Sequence, residues 1–235
     1  MSYNSAAITL SDHIIGSELN TMNFPQRLID GYQNFVSGRL PEQRKLAREL
    51  AEKGQKPDTM IIACCDSRAA PEMIFGADPG EMFVVRNVAN LVPPYEPDGE
   101  YHSTSAALEF AVQSLKVKHI VIMGHGRCGG ISAALAEDME PLSSGDFIGK
   151  WVSLLAPTAA AVSANGDMTD AERQTALERI SIRNSIKNLK TFPFVDSLHS
   201  EGKLTVHGAW FDISTGELWT MDDTGDFIRQ DAASA

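Results

Sequence analysis

Three short apolar runs constrain this chain more than any other feature: residues 60–66, 82–85 and 119–123. None alternates between polar and apolar residues, which is the pattern of a strand buried on both faces. Helical patterns separate them. Residues 24–52 place Leu28, Tyr32, Phe35, Leu46 and Leu50 at helical spacing, with a break near Gly38 and Pro41. Residues 105–115 carry Leu108, Val112 and Leu115 on one side, residues 131–136 continue as a helix, and residues 170–198 are largely helical up to a break at Pro193. Two further strand runs, 203–211 and 217–221, flank Ser214-Thr215-Gly216, a hairpin signal. The alanine-biased stretch 156–164, interrupted by Pro157, reads as a helix terminus and a loop. Strands alternating with helices predict an α/β fold. Its mostly parallel central sheet has about four strands, an antiparallel edge strand and flanking helices. Residues 1–235 read as one domain, with an N-terminal helical arm over about residues 1–55.

Charge and cysteine content narrow the function. The chain has 20 Lys and Arg against 31 Asp and Glu, a net charge of −11. Nucleic acid and anionic membrane surfaces need a positive field, so neither is an expected partner. No apolar run approaches the ~20 residues of a membrane span. The first five residues lack a basic region, and Asp12, His13 and Glu18 interrupt the segment behind them, so a signal peptide is not expected and the location reads as cytoplasmic. The three cysteines, Cys64, Cys65 and Cys128, are too few and odd in number for a disulfide scaffold. In a reducing compartment they are free or bound to metal.

Two motifs carry chemistry. Cys64-Cys65-Asp66-Ser67-Arg68 sits where one buried run ends, and Gly124-His125-Gly126-Arg127-Cys128-Gly129-Gly130 comes directly after another and opens a helix. Strand ends of this kind line the ligand crevice of parallel α/β sheets. Two thiolates and an imidazole suit zinc, and His125-x-x-Cys128 lets one turn supply two ligands. Period two along the strand puts Cys64, Asp66 and Arg68 on one side and Cys65 and Ser67 on the other. Cys64 is therefore the expected ligand and Cys65 a packed or inert thiol. Amides at the start of the following helix favour a thiolate at Cys128. A closed structural site would need a fourth Cys or His, and there is no fourth cysteine. Water or Asp66 could take that position, with Arg68 able to hold Asp66 away from it through a planar ion pair. Other readings of these residues are a redox or nucleophilic thiol and a glycine-rich phosphate cradle.

The same residues resemble the signature of the beta-class carbonic anhydrases, in their plant-like branch. The resemblance continues through Pro79-Gly80-Glu81, residues 83–90, Val92-Pro93-Pro94-Tyr95, His207-Gly208 and Trp210-Phe211-Asp212, and covers about residues 24–222. It implies one Zn2+ per chain on Cys64, His125 and Cys128, with Asp66 and Arg68 as the catalytic dyad. It implies reversible hydration of CO2 to bicarbonate and a proton, with zinc making hydroxide available near neutral pH. It implies substrate contacts from Gln55, Phe83, Val88, Phe110 and the Gly129 backbone, and a homodimer or dimer of dimers with the cleft at the subunit interface. Cys65 stands where the family often has Ser, and Phe110 where it usually has Tyr, so a hydroxyl is lost there. A second branch has an inhibitory bicarbonate pocket at positions matching Ile61, Arg86 and Phe211. Only the Arg matches, so that pocket is not expected. The proton shuttle is left open among His13, His102, His119, His199 and His207.

Overall fold

The computed structural model describes residues 24–97, 102–136 and 140–231; His13 lies outside them. The chain begins with α1 (Gln26–Ser37) and α2 (Arg39–Lys53), separated at Gly38. By its contacts it divides after Arg48 into a small unit and a larger one, residues 49–235. The larger unit continues with β1 (Thr59–Cys64), α3 (Pro71–Ile74), β2 (Met82–Asn87), a 3₁₀ turn at Val88–Asn90 and α4 (Ser103–Glu109), which runs into a π-helical segment at Phe110–Leu115. Then come β3 (His119–His125), α5 (Gly129–Leu135), α6 (Phe147–Val152), α7 (Ala156–Ser163), α8 (Asp170–Leu189), α9 (Pro193–Ser200), β4 (Thr205–Phe211), β5 (Leu218–Met221) and β6 (Phe227–Gln230).

The sheet has the order β2-β1-β3-β4-β5-β6. β1 pairs in parallel with β2 and β3, and β3 with β4. β5 and β6 add antiparallel pairs at one edge. The parallel centre and antiparallel edge match the sequence pattern, while β6 is an additional strand, and β2, expected to be buried on both faces, is the other edge strand and only half-buried along its length. From β1 the chain steps outward to β2, then returns to place β3 on the other side of β1. That reversal makes the carboxyl ends of β1 and β3 a topological switch point, where such sheets open a crevice.

Met60 and Ile62 of β1 and Ile120 and Ile122 of β3 form one apolar cluster with Ile182 and Ile186 of α8 and with Leu108 and Val112. Two glycines let α8 approach closely. A Cβ at Gly124 would stand 2.8 Å from Ile182 Cδ1, and one at Gly208 would stand 3.0 Å from Ile182 Cγ2. The start of α8 is fixed by a capping box: Thr169 accepts from Glu172 N–H, and the Glu172 carboxylate accepts from Thr169 N–H. Residues 156–163 form a full helix rather than a terminus and loop, because Pro157 sits in its first turn, where a missing N–H costs nothing. No helix among the described residues is long and apolar enough to cross a membrane.

Candidate metal centre

β1 ends at Cys64, whose side chain is buried, and β3 ends at His125, which is 1 % exposed. The loop after β3 then turns through Arg127, at φ 56°, and delivers Cys128 as the residue preceding α5. The ligand atoms of Cys64, His125 and Cys128 all lie within 4.8 Å of one another. The two Sγ atoms are 3.8 Å apart. Two thiolates each about 2.3 Å from one tetrahedral ion would stand about 3.8 Å apart, so the spacing fits zinc.

The imidazole fits as well. His125 Nδ1 lies 2.9 Å from the Gly126 carbonyl, which assigns the proton to Nδ1. Nε2 is then left with a free lone pair, and it is buried without a hydrogen-bond partner. Among the described residues it is one of few such atoms, and a metal is the natural partner for it. The Cys64 thiol is lowered to about 4, chiefly by the hydrogen bond from Cys128, against the cost of burial. His125 and the backbone amides of Asp66 and Ala89 act in the same direction. The sulfur pair shares one proton: Cys128 is pushed up by Cys64 and by burial, while the amides of Gly130 and Ile131 oppose that rise. A dication would displace this shared proton.

Beside the cluster, Asp66 is held in a two-pronged ion pair. Arg68 Nη2 donates to Asp66 Oδ2 at 2.7 Å and Nε to Oδ1 at 2.9 Å, and the Arg68 N–H adds a bond of 3.0 Å to Oδ1. This pairing holds the Asp66 carboxyl well below the usual carboxylate range. Asp66 Oδ2 stands 3.8 Å from His125 Nε2, so the carboxylate borders the cluster while facing Arg68. Arg68 also reaches the Arg127 carbonyl, tying the two motifs together.

The apolar residues fall close by. Phe83 and Phe110 have ring centroids 5.9 Å apart. Val88 opens the 3₁₀ turn and packs on the start of α5; a Cβ at Gly130 would stand 2.6 Å from Val88 Cγ1. Val88 and Phe110 are 37 % and 48 % exposed. Gly129 begins α5. Gln55 is exposed in the segment between α2 and β1 and is not gathered with the others by any hydrogen bond.

Several details depart from the sequence reading. Cys65 is exposed, not packed, because β1 stops at Cys64. Its N–H donates to the Asn87 carbonyl at 2.9 Å. Arg86 is engaged by the main chain, donating to the carbonyls of Cys64 and Asp66. Ile61 and Phe211 belong to an apolar cluster on the sheet face opposite α8. His119 and His207 lie toward the far end of the sheet, with six residue steps of β3, about 20 Å, from His119 to His125. His199 lies near the Leu204 carbonyl. His102 immediately precedes α4.

Sequence reasoning did not single out Glu178. It is 1 % exposed on α8, and Oε1 accepts the Cys128 N–H at 3.0 Å. Oε2 accepts the Trp210 Nε1–H at 3.1 Å. Gln174 donates to both the Cys128 carbonyl and Glu178 Oε1. Burial pushes the Glu178 carboxyl up, while these donors favour its charged form. The signal was present in register: Glu178, Ile182, Ser185 and Leu189 share one stripe of α8, and the stripe is buried.

This sheet, with a Cys-His-Cys centre at its switch point and an Asp-Arg pair beside it, defines a zinc-type α/β site. A family model described as carbonic anhydrase matches residues 59–218. Beta carbonic anhydrase 3 of Arabidopsis thaliana is 32 % identical over 217 residues, covering 91 % of this chain and 83 % of that protein. The solved structure of the beta-carbonic anhydrase CcaA superposes with a TM-score of 0.79 at 30 % identity, covering 88 % of this chain and 92 % of that one. One of two tetrameric beta-carbonic anhydrases from Sordaria macrospora gives 0.69 at 28 %, covering 89 % and 98 %. The chain belongs to the carbonic anhydrase family, in its beta class of plant-like type.

Proposed function

We propose that this chain catalyses the reversible hydration of CO2 to bicarbonate and a proton, with Cys64, His125 and Cys128 holding one zinc ion. The observation that carries the reading is the unpartnered, buried His125 Nε2 between two close thiols, bordered by the Asp66–Arg68 pair. Bound zinc supplies a Lewis acid that lowers the proton affinity of water at its open position. The residues around it do the rest. Asp66 is an acceptor-only carboxylate whose orientation is fixed by Arg68, so it can hold a proton-bearing oxygen in one direction next to the cluster. Phe83, Val88 and Phe110 offer an apolar wall suited to an uncharged, apolar gas. Gln55 and the Gly129 backbone are the proposed polar contacts to oxygen as charge develops.

The same geometry supports a gating role for the dyad. Held on Arg68, Asp66 would leave an ion on Cys64, His125 and Cys128 accessible to water; released from Arg68, its carboxylate could reach that ion and exclude water. The exposure of Val88 and Phe110 supports a cleft completed by a second subunit, hence a homodimer or a dimer of dimers. The tetrameric Sordaria enzymes are a precedent.

Stopped-flow CO2 hydration with zinc counted per chain tests the reading. The expected result is one zinc per chain at this centre and rapid hydration. An Asp66→Asn variant should keep its zinc and lose about 10²-fold or more of the rate. Zinc without hydration in the unmodified chain removes the enzyme reading, and a chain that holds no zinc removes the metal reading as well.

A further inference from the structure

We propose that His119 and His207 form a second, solvent-accessible metal site for a borderline first-row divalent cation such as Zn2+ or Ni2+, at the end of the sheet opposite the catalytic centre. β3 and β4 run parallel, with His119 opposite Thr205 and Val121 opposite His207. His119 and His207 therefore project from one face of the sheet, on adjacent strands. Their rings face each other at 5.3 Å between centroids, with His119 Nδ1 3.2 Å from His207 Nε2. Two imidazole nitrogens each about 2.0–2.1 Å from one ion and 3.2 Å apart subtend about 100° at it, which lies between the octahedral and tetrahedral angles. The pair thus stands at the separation of two neighbouring ligands without strand movement.

Access and protonation agree. His207 is exposed and His119 half-buried, so water can complete the coordination shell. Partial desolvation of the otherwise exposed His207 ring where it packs, together with the neighbouring His119, pushes its proton affinity down, which favours a neutral imidazole with its lone pair available. Thr59 and Thr205 flank His119 in register on β1 and β4 and bring small hydroxyl side chains to the same face. A hydrogen-bonded imidazole pair without metal affinity is the competing account. The site is independent of the Cys64–His125–Cys128 centre, from which His119 is separated by the length of β3.

The test is calorimetric titration of Ni2+ into zinc-loaded protein in its native assembly, repeated on His119→Gln and His207→Gln. The expected result is one Ni2+ per chain in addition to the resident zinc. Each variant should weaken that uptake at least tenfold while keeping its zinc and its CO2 hydration rate. If His207→Gln fails to fold, His119→Gln alone carries the comparison. No Ni2+ uptake overturns the proposal, and so does uptake that survives in the variants, because the ion then sits on other imidazoles.

Discussion

Asp66 is constrained in two ways in this fold, in its charge and in its orientation. Arg68 supplies both through a planar two-bond pair and its own N–H. The ordinary value for the carboxyl is 3.8, and in the fold it is depressed. A depressed carboxyl adds stability that is fully present above its ordinary value and is lost as pH falls through the lowered one. Asp66 therefore stays charged through mild acid, and a loss of hydration above about pH 5 belongs to another group. Replacing Arg68 by Gln removes the cation, so the Asp66 proton affinity rises and an acid limb should enter the pH–rate profile at higher pH. An Arg68→Gln profile that keeps the parent's acid limb would show that the pairing does not set this titration. Cys64 and Cys65 show what was legible at this scale. Period two correctly put Cys64 inward, since β1 is regular up to that residue. It also kept Cys65 out of the ligand cluster, but the expectation that this thiol is packed does not hold, because the strand stops at Cys64 and alternation says nothing about burial after the last pleat.

At the scale of elements, α8 is the support of the metal centre. Its capping box fixes where it starts, Gly124 and Gly208 fix how near it comes to β3 and β4, and Glu178 then meets the Cys128 N–H. Cys128 precedes α5 without a side-chain cap of its own, so this bond sets the direction of the ligand loop. A Glu178→Gln variant keeps the shape but turns one acceptor oxygen into an NH2 donor, facing either the Cys128 amide or the Trp210 indole. The expected effect is a 10–100-fold loss of zinc affinity, measured by competition with a chromogenic chelator. Unchanged affinity would reduce Glu178 to a packing role. Most elements were readable from periodicity, because the central strands are continuous apolar runs and α8 carries a clear stripe. β6 was not: only Phe227 is partly buried, and Ile228, Arg229 and Gln230 face solvent, so no alternation marks it. Pro157 misled for a positional reason, since proline stops a helix in its interior and starts one in its first turn.

At the scale of the whole molecule, the metal centre joins segments distant in sequence without being the core. Cys64 ends β1, and His125 and Cys128 come 61 and 64 residues later. The main apolar cluster of Met60, Ile62, Ile120, Ile122, Ile182 and Ile186 is separate from the cluster around the ligands, which gathers Cys64, Cys128, Ala89, Leu91, Ile131 and Leu177. The first cluster holds the sheet on α8 with no metal-ligand atoms in it. Beside the second, an ion held by Cys64, Cys128 and the buried His125 Nε2 would tie the end of β1 to the loop after β3, and its removal would undo that tie. Zinc removal should therefore loosen one region while the sheet persists. Zinc binds the folded chain, so it stabilises by mass action, about 2.7 kcal/mol at a free concentration one hundred times Kd. For a chain of this size that corresponds to about 5–10 °C in Tm. A chelated, dialysed protein should show this drop with its far-ultraviolet circular dichroism nearly unchanged, and one equivalent of zinc should restore it. Hydrogen exchange should rise in residues 87–91 and 126–135 and stay slow in β1 and the first part of β3. Global loss of protection on chelation would place the metal within the folding core instead, and an unmoved Tm would deny it any part in holding the two strands together.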